Sequence, residues 1–239
     1  MHDDIDHIDH IDRATIRVGV VDSGYPASLG ACVVEARRFS FDDAGTLQAG
    51  AVEADRLGHG SAVCTTIAAA APDAHLLVAQ VFEARGVTSA AQIAHAIRWL
   101  LTRHVHLINL SLGVRADRDT LREACAQAVA QRVAVFASSP AQGMPVFPAS
   151  YPGVVRVTGD ARCAPGQWSW LDSAQADFGA RVSSGASHAP AGASIACAAL
   201  SGHAAGWLSR HREADTAALL DHLRANAAYV GVERRSCAS

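Results

Sequence analysis

Three residues stand where a serine nucleophile, its base and the anchor of that base can be assembled. Asp22 closes the apolar run of VGVVDSG, His59 lies between Gly58 and Gly60 in GHGSAV, and Ser194 follows Gly192 in GASIACAALSG. A serine hydroxyl attacks a carbonyl when a base takes its proton, and that base needs an anion to hold it in the right tautomer. Asp, His and Ser supply these roles in turn. Taken singly, each segment also has a plain structural reading: a strand followed by an Asp-initiated turn, a histidine at a glycine-flanked helix entrance, and a serine capping a helix after glycine. Their combination is what suggests chemistry.

The surrounding chain alternates short β-branched runs with longer alanine-rich segments of helical periodicity, the pattern of strands and crossover helices in a parallel sheet. Strands are predicted at Ile16–Val21, Leu76–Phe82, Val105–Leu110, Val133–Ser138 and Val154–Gly159, with a weaker one over Cys32–Phe39. Helices are predicted at His59–Ala71, Ser89–Arg103, Arg118–Gln131, Ser194–Arg210 and Thr216–Ala227, with Thr88 or Ser89 and Asp215 at N-cap positions. Strands buried on both faces read as continuous apolar runs, as these do. The expected fold is therefore α/β: a doubly wound, mainly parallel sheet with helices on both faces, in a single domain. In such sheets ligands bind beyond the carboxyl ends of the strands, where Asp22, His59 and Ser194 would all lie. Gly179–Gly192, rich in glycine, serine and alanine, reads as a loop feeding the next helix and not as a domain linker.

With 239 residues, half of them apolar, the chain can bury one sizeable core. We assign residues 15–230 to that domain, 1–14 to a flexible polar tail and 231–239 to a C-terminal tail. The formal charge of -3 with dispersed basic residues argues against nucleic acid, and no apolar run is long enough to span a bilayer. The N-terminus lacks the order of a secretory signal. His2, His7, His10 and the neighbouring aspartates could chelate a metal, but a solvated tail is the simpler reading. Cys32, Cys64, Cys125, Cys163, Cys197 and Cys237 show no CxxC pairing, which fits reduced thiols and a cytoplasmic protein. No cofactor or metal is expected, and the oligomeric state is left open.

The three segments, in the order Asp, His, Ser, resemble the subtilase family of serine peptidases, whose motifs have the forms DSG, HGTxVAG and GTSMAxPHVAG. INLSLG (Ile108–Gly113) resembles the family's substrate-binding strand, and FPASYPGVVRVTG (Phe147–Gly159) the stretch after its oxyanion loop. The resemblance runs from about Ile16 to Gly206. It implies a subtilisin-like fold and a catalytic triad of Asp22, His59 and Ser194, with the Ser194 amide as one oxyanion donor. It also implies that Ser111, Leu112 and Gly113 pair with a peptide substrate as an added strand, and that Ala137, Ser138 and Ser139 form the facing wall of the specificity pocket. The implied activity is serine endopeptidase cleavage of a specific protein or precursor peptide.

Departures from the family pattern qualify this. Aligning VAVFASSPAQG with the family's Ala-Ala-Gly-Asn places Pro140 at the glycine and Ala141 at the asparagine whose amide is the second oxyanion donor. Loss of one such donor lowers turnover about a hundredfold to a thousandfold. Gln142, one residue on, is the candidate replacement, with the Ser138 or Ser139 hydroxyl as alternatives. Ala198 and Ala199 replace the Pro-His after the nucleophile, and Cys197 replaces a hydroxyl residue. Cys64 and Cys197 each follow a catalytic position, as inert buried thiols or as a thiol pair. The short polar tail and the lack of a calcium-type acidic loop suit an intracellular enzyme with a restricted substrate. The alternatives are a peptide-binding pseudoprotease and an acyl transferase using the same acyl-enzyme.

Overall fold

Val18, Val20 and Val21 in β1 (Arg17–Asp22) are fully buried, because this strand lies at the centre of the sheet with helices above and below it. The computed structural model describes residues 15–82, 86–183 and 191–233. The 1–14 segment with its histidines, and 234–239 with Cys237, lie outside the described residues. β1 is flanked in parallel by β4 (His75–Gln80) and by β5 (Leu107–Leu110), whose residues are all buried. β6 (Ala134–Ser138) and β7 (Val155–Gly159) extend the parallel sheet beyond β5, and β2 (Val33–Phe41) extends it beyond β4. Adding β3 (Leu47–Gly50), β8 (Trp168–Trp170), β9 (Phe178–Ala180) and β10 (Tyr229–Val230) gives the order β10-β8-β9-β7-β6-β5-β1-β4-β2-β3.

The pleat sends alternate residues of β1 to opposite cores. Val18 and Val20 join Val63 and Ile67 of α1 (His59–Ala70), Ala196, Leu200 and Ala204 of α4 (Ala193–Arg210), and Leu219 and Leu223 of α5 (Thr216–Ala225). Val21 joins Ile93, Ile97 and Leu100 of α2 (Ala90–Leu101) and Leu121, Ala124 and Cys125 of α3 (Asp119–Ala130). The chain is thus a doubly wound α/β structure with helices on both faces. Ser89 caps α2 in a capping box with Gln92, whose amide also reaches the carbonyls of Phe39 and Val81. Asp215 caps α5 by accepting from the Ala218 amide at 2.9 Å.

α1 and α4 pack closely enough that a Cβ on Gly202 would stand 2.7 Å from the Ala70 Cβ. That contact fixes the relative depth of the two helices whose first residues are His59 and Ala193, and so sets the site. The structure differs from the sequence expectation on the sheet's margins. Gly179 and Ala180, expected in a loop, belong to β9, which pairs antiparallel with β8 and parallel with β7. The Asp177 carboxylate starts β9 in register by accepting from the Arg156 amide and guanidinium, a long-range link that local periodicity does not carry.

Candidate active site

Asp22 is the last residue of β1 and is fully buried. Its Oδ1 accepts from the Ser23 amide at 2.7 Å and lies 2.8 Å from His59 Nδ1. His59 is the first residue of α1, with its side chain 29% exposed. A carboxylate at Nδ1 places the imidazole proton there and leaves the Nε2 lone pair available as a base. The His59 pKa is raised above its ordinary value of 6.5, chiefly by the hydrogen bond to Asp22; burial opposes this, and the charges of Asp22 and Asp55 add to it.

Ser194 is the second residue of α4, behind the N-cap residue Gly192, whose φ of +95° suits glycine. First-turn amides have no intrahelical acceptor, so the Ser194 N–H is free to meet an oxyanion. The Ser194 hydroxyl donates to the Ser111 carbonyl at 3.1 Å, and no hydrogen bond joins it to His59 among the described residues. In return the Ser111 hydroxyl lies 2.8 Å from the Ser194 carbonyl and 2.9 Å from Asn109 Oδ1. The Asn109 amide continues inward to the Ser201 hydroxyl at 3.0 Å and Cys197 Sγ at 3.3 Å.

Ser111, Leu112 and Gly113 run on from β5; Ser111 and Leu112 are buried, Gly113 is exposed, and among described residues Leu112 and Gly113 make no backbone-to-backbone hydrogen bond. Pairing resumes where Val114 bonds with Phe147. Ala137 and Ser138 end the neighbouring β6, and the Ser138 hydroxyl reaches the Leu112 carbonyl at 3.4 Å, so the two expected walls stand side by side. The hydroxyls expected as alternatives to Gln142 are engaged elsewhere: Ser138 on Leu112, and Ser139 on the Gln175 carbonyl at 2.7 Å. Ala141 and Gln142 are exposed, and Gln142 makes no hydrogen bond with a described residue.

One contributor, Asp55, escaped the sequence reading. Asp55 takes hydrogen bonds from the Ser23 hydroxyl, the Gly58 amide and the Ser61 amide and hydroxyl. Burial opposes its ionisation, but these donors outweigh burial and hold its pKa below the ordinary value of 3.8. Gly60, which flanks His59, permits the close backbone approach that its position suggested, since a Cβ there would stand 2.3 Å from the Gly24 carbonyl oxygen. An acid just ahead of a glycine-led helix was the available signal for Asp55.

Cys64 and Cys197 are both free and fully buried, which makes them packing thiols, not a bonded pair. Burial pushes the Cys197 thiol to about 12 and raises that of Cys64, so neither offers a thiolate. Among the described residues no group of three or more His, Cys, Asp or Glu side chains is placed to hold a metal ion, and no helix is long and apolar enough to cross a membrane.

The chain resembles "Subtilisin-like protease het-Q2" of Podospora anserina, at 38% identity over 136 residues, 52% of this chain and 35% of that protein. It is also similar to "Intracellular serine protease" of Paenibacillus polymyxa, at 31% identity over 140 residues, 54% of this chain and 42% of the relative. These matches span less than half of the relatives' length. Among solved structures, "S41 Psychrophilic Protease" superposes with a TM-score of 0.68 at 22% identity, covering 89% of this chain and 83% of that one, a likeness of fold. The sequence profile of the Subtilase family matches residues 13–236, from before β1 to beyond β10. With that match over nearly its whole length, the chain belongs to the Subtilase family.

Proposed function

We propose that this chain is a serine endopeptidase in which Asp22, His59 and Ser194 form the catalytic triad. The observation that carries the reading is the 2.8 Å contact between buried Asp22 and His59 Nδ1, beside a serine in the first turn of the neighbouring helix. The peptide lies along Leu112 and Gly113 as an added strand, with Ser111 behind them, and Ala137, Ser138 and Ser139 wall the pocket opposite. A groove of about 590 Å³ between α1 and α4, lined by Ser61, Thr65, Ile195 and Ala199, adjoins the chain neighbours of His59 and Ser194 and receives the leaving side of the substrate.

Rotation of Ser194 about χ1 moves its hydroxyl from the Ser111 carbonyl to His59 Nε2. The Ser194 oxygen then attacks the scissile carbonyl carbon as its proton passes to Nε2, and Asp22 holds the imidazolium through Nδ1. The Ser194 amide donates to the oxyanion, with Gln142, unengaged and one residue past Ala141, as the second donor. His59 returns the proton to the leaving amine nitrogen as the C–N bond breaks, and water, activated by the same base, releases the acyl group. The substrate is a specific protein or precursor peptide, and the setting intracellular. The named intracellular relative and the free thiols support this setting.

A fluorophosphonate probe tests the reading. It should label the wild type and spare Ser194→Ala, and absence of wild-type labelling between about pH 7 and 9, where the neutral fraction of the histidine base grows, would sink it. The engaged Ser194 hydroxyl and Ala141 favour a second reading, a peptide-binding protein of very low turnover. That reading expects peptide binding in both forms and cleavage in neither. An acyl transferase shares the labelling step, and product masses distinguish it from a hydrolase.

A further inference from the structure

Gly58 is the N-cap residue of α1 and has no side chain with which to close the first turn. Asp55 does so from outside the helix. Its Oδ1 accepts from the Gly58 amide at 2.9 Å, the Leu57 amide at 3.2 Å and the Ser23 hydroxyl at 2.9 Å. Its Oδ2 accepts from the Ser61 amide and hydroxyl, both at 2.7 Å. Ser23 passes the constraint on, because its oxygen accepts from the Gly60 amide at 2.8 Å while its own amide holds Asp22 Oδ1. Both chain neighbours of His59 are therefore tied down, Gly58 by Asp55 and Gly60 by the serine that Asp55 holds.

The geometry points to Asp55 as a positioning residue for His59, which locks the start of α1 onto the turn after Asp22. The inference rests on reading His59 as the catalytic base. A carboxylate kept ionised by this many donors attracts the imidazolium, so it acts on the base's protonation as well as its placement. The charged groups acting on the ring are Asp22 from β1 and Asp55 from the segment before α1, while buried Cys64, further along α1, stays a neutral thiol. A residue that capped the helix and did nothing more would alter stability without moving the titration of His59.

The test is to titrate the His59 ring by NMR in the wild type, Asp55→Asn, Asp55→Glu and Ser23→Ala, and to measure the fluorophosphonate labelling rate of each. Asp55→Asn should lower the His59 midpoint by about 0.5 or more and slow labelling by about tenfold or more. Asp55→Glu, which restores the charge, should recover most of the midpoint. Ser23→Ala, the milder change, should leave the midpoint near wild type yet speed exchange of the low-field Nδ1 proton, because Gly60 loses its tether. A midpoint unchanged in Asp55→Asn, or recovered no better by Asp55→Glu than by Asn, overturns the inference. Should Asp55→Asn fail to fold, unchanged Nδ1 proton exchange in Ser23→Ala overturns it. The NMR readings need no turnover, so a wild type that does not label defeats the proposed activity while the role of Asp55 is still decided.

Discussion

Ser194 and Ser111 are stitched together in both directions: the Ser194 hydroxyl donates to the Ser111 carbonyl at 3.1 Å, and the Ser111 hydroxyl reaches the Ser194 carbonyl at 2.8 Å. In the proposed mechanism the first bond opens and the second stays closed throughout. A neutral hydrogen bond exchanged for another of its kind costs about 1 kcal/mol or less, so turning Ser194 to His59 is a modest step.

This asymmetry separates two variants. Ser194→Ala should abolish labelling yet change stability by less than about 1 kcal/mol, because its carbonyl still accepts from Ser111. Ser111→Ala should destabilise by about 1–3 kcal/mol, because the one hydroxyl proton shared between buried Asn109 Oδ1 and the Ser194 carbonyl is lost, and should slow labelling as α4 loosens from β5. Urea denaturation with the probe assay checks both.

In the proposed mechanism the raised pKa of His59 sets the acid limb of activity. The base must be neutral, so kcat/KM should rise with pH through a midpoint above 6.5. For stability the sign is opposite. The folded state favours the protonated ring, so that contribution is complete below 6.5 and is lost as pH climbs through the folded value. His59→Gln should remove this component of the stability profile together with the activity.

Half-buried His203, its ring tilted 38° against Trp168 at 5.3 Å between centroids, behaves in the reverse sense, since partial burial lowers its pKa. Its contribution is present above 6.5 and is lost as pH falls through the folded value. His203→Phe should flatten the decline of melting temperature on acidification, and a slope equal to wild type would count against that role.

Gly60 and Gly50 should respond oppositely to alanine. At Gly60 the new Cβ meets the Gly24 carbonyl oxygen at 2.3 Å, so the α1 start must shift, at about 1–3 kcal/mol and with loss of labelling. At Gly50 a Cβ meets nothing within 4 Å, and stability should stay within about 0.5 kcal/mol or improve slightly.

The oxyanion proposal stands on Gln142. Gln142→Ala should lower kcat about a hundredfold with little change in KM, the signature of a donor that acts in the transition state. An unchanged kcat would remove Gln142 from the site. Pro140→Gly combined with Ala141→Asn should raise kcat.

The parallel centre of the sheet was legible because β1, β4, β5 and β6 are buried on both faces and read as apolar runs, and the helices because Ser89 and Asp215 mark their starts. The placement of Asp22, His59 and Ser194 followed from the ends of those elements. The short pair β8 and β9 was not legible, since Asp177 and Arg156 align it across 21 positions of chain. Asp55 carried a local signal in its place ahead of α1, but its link to Ser23, 32 positions away, did not. The engagement of Ser139 with Gln175 was hidden for the same reason.

The tight seat of Gly202 against Ala70 has a consequence for how activity fails on heating. His59 and Ser194 sit at the heads of α1 and α4, and those helices share one interlocked contact within a single core. Nothing in that arrangement lets His59 and Ser194 part before the core itself gives way. Inactivation and the loss of near-ultraviolet circular dichroism should therefore trace one cooperative transition, with no warm, folded and inert species between them.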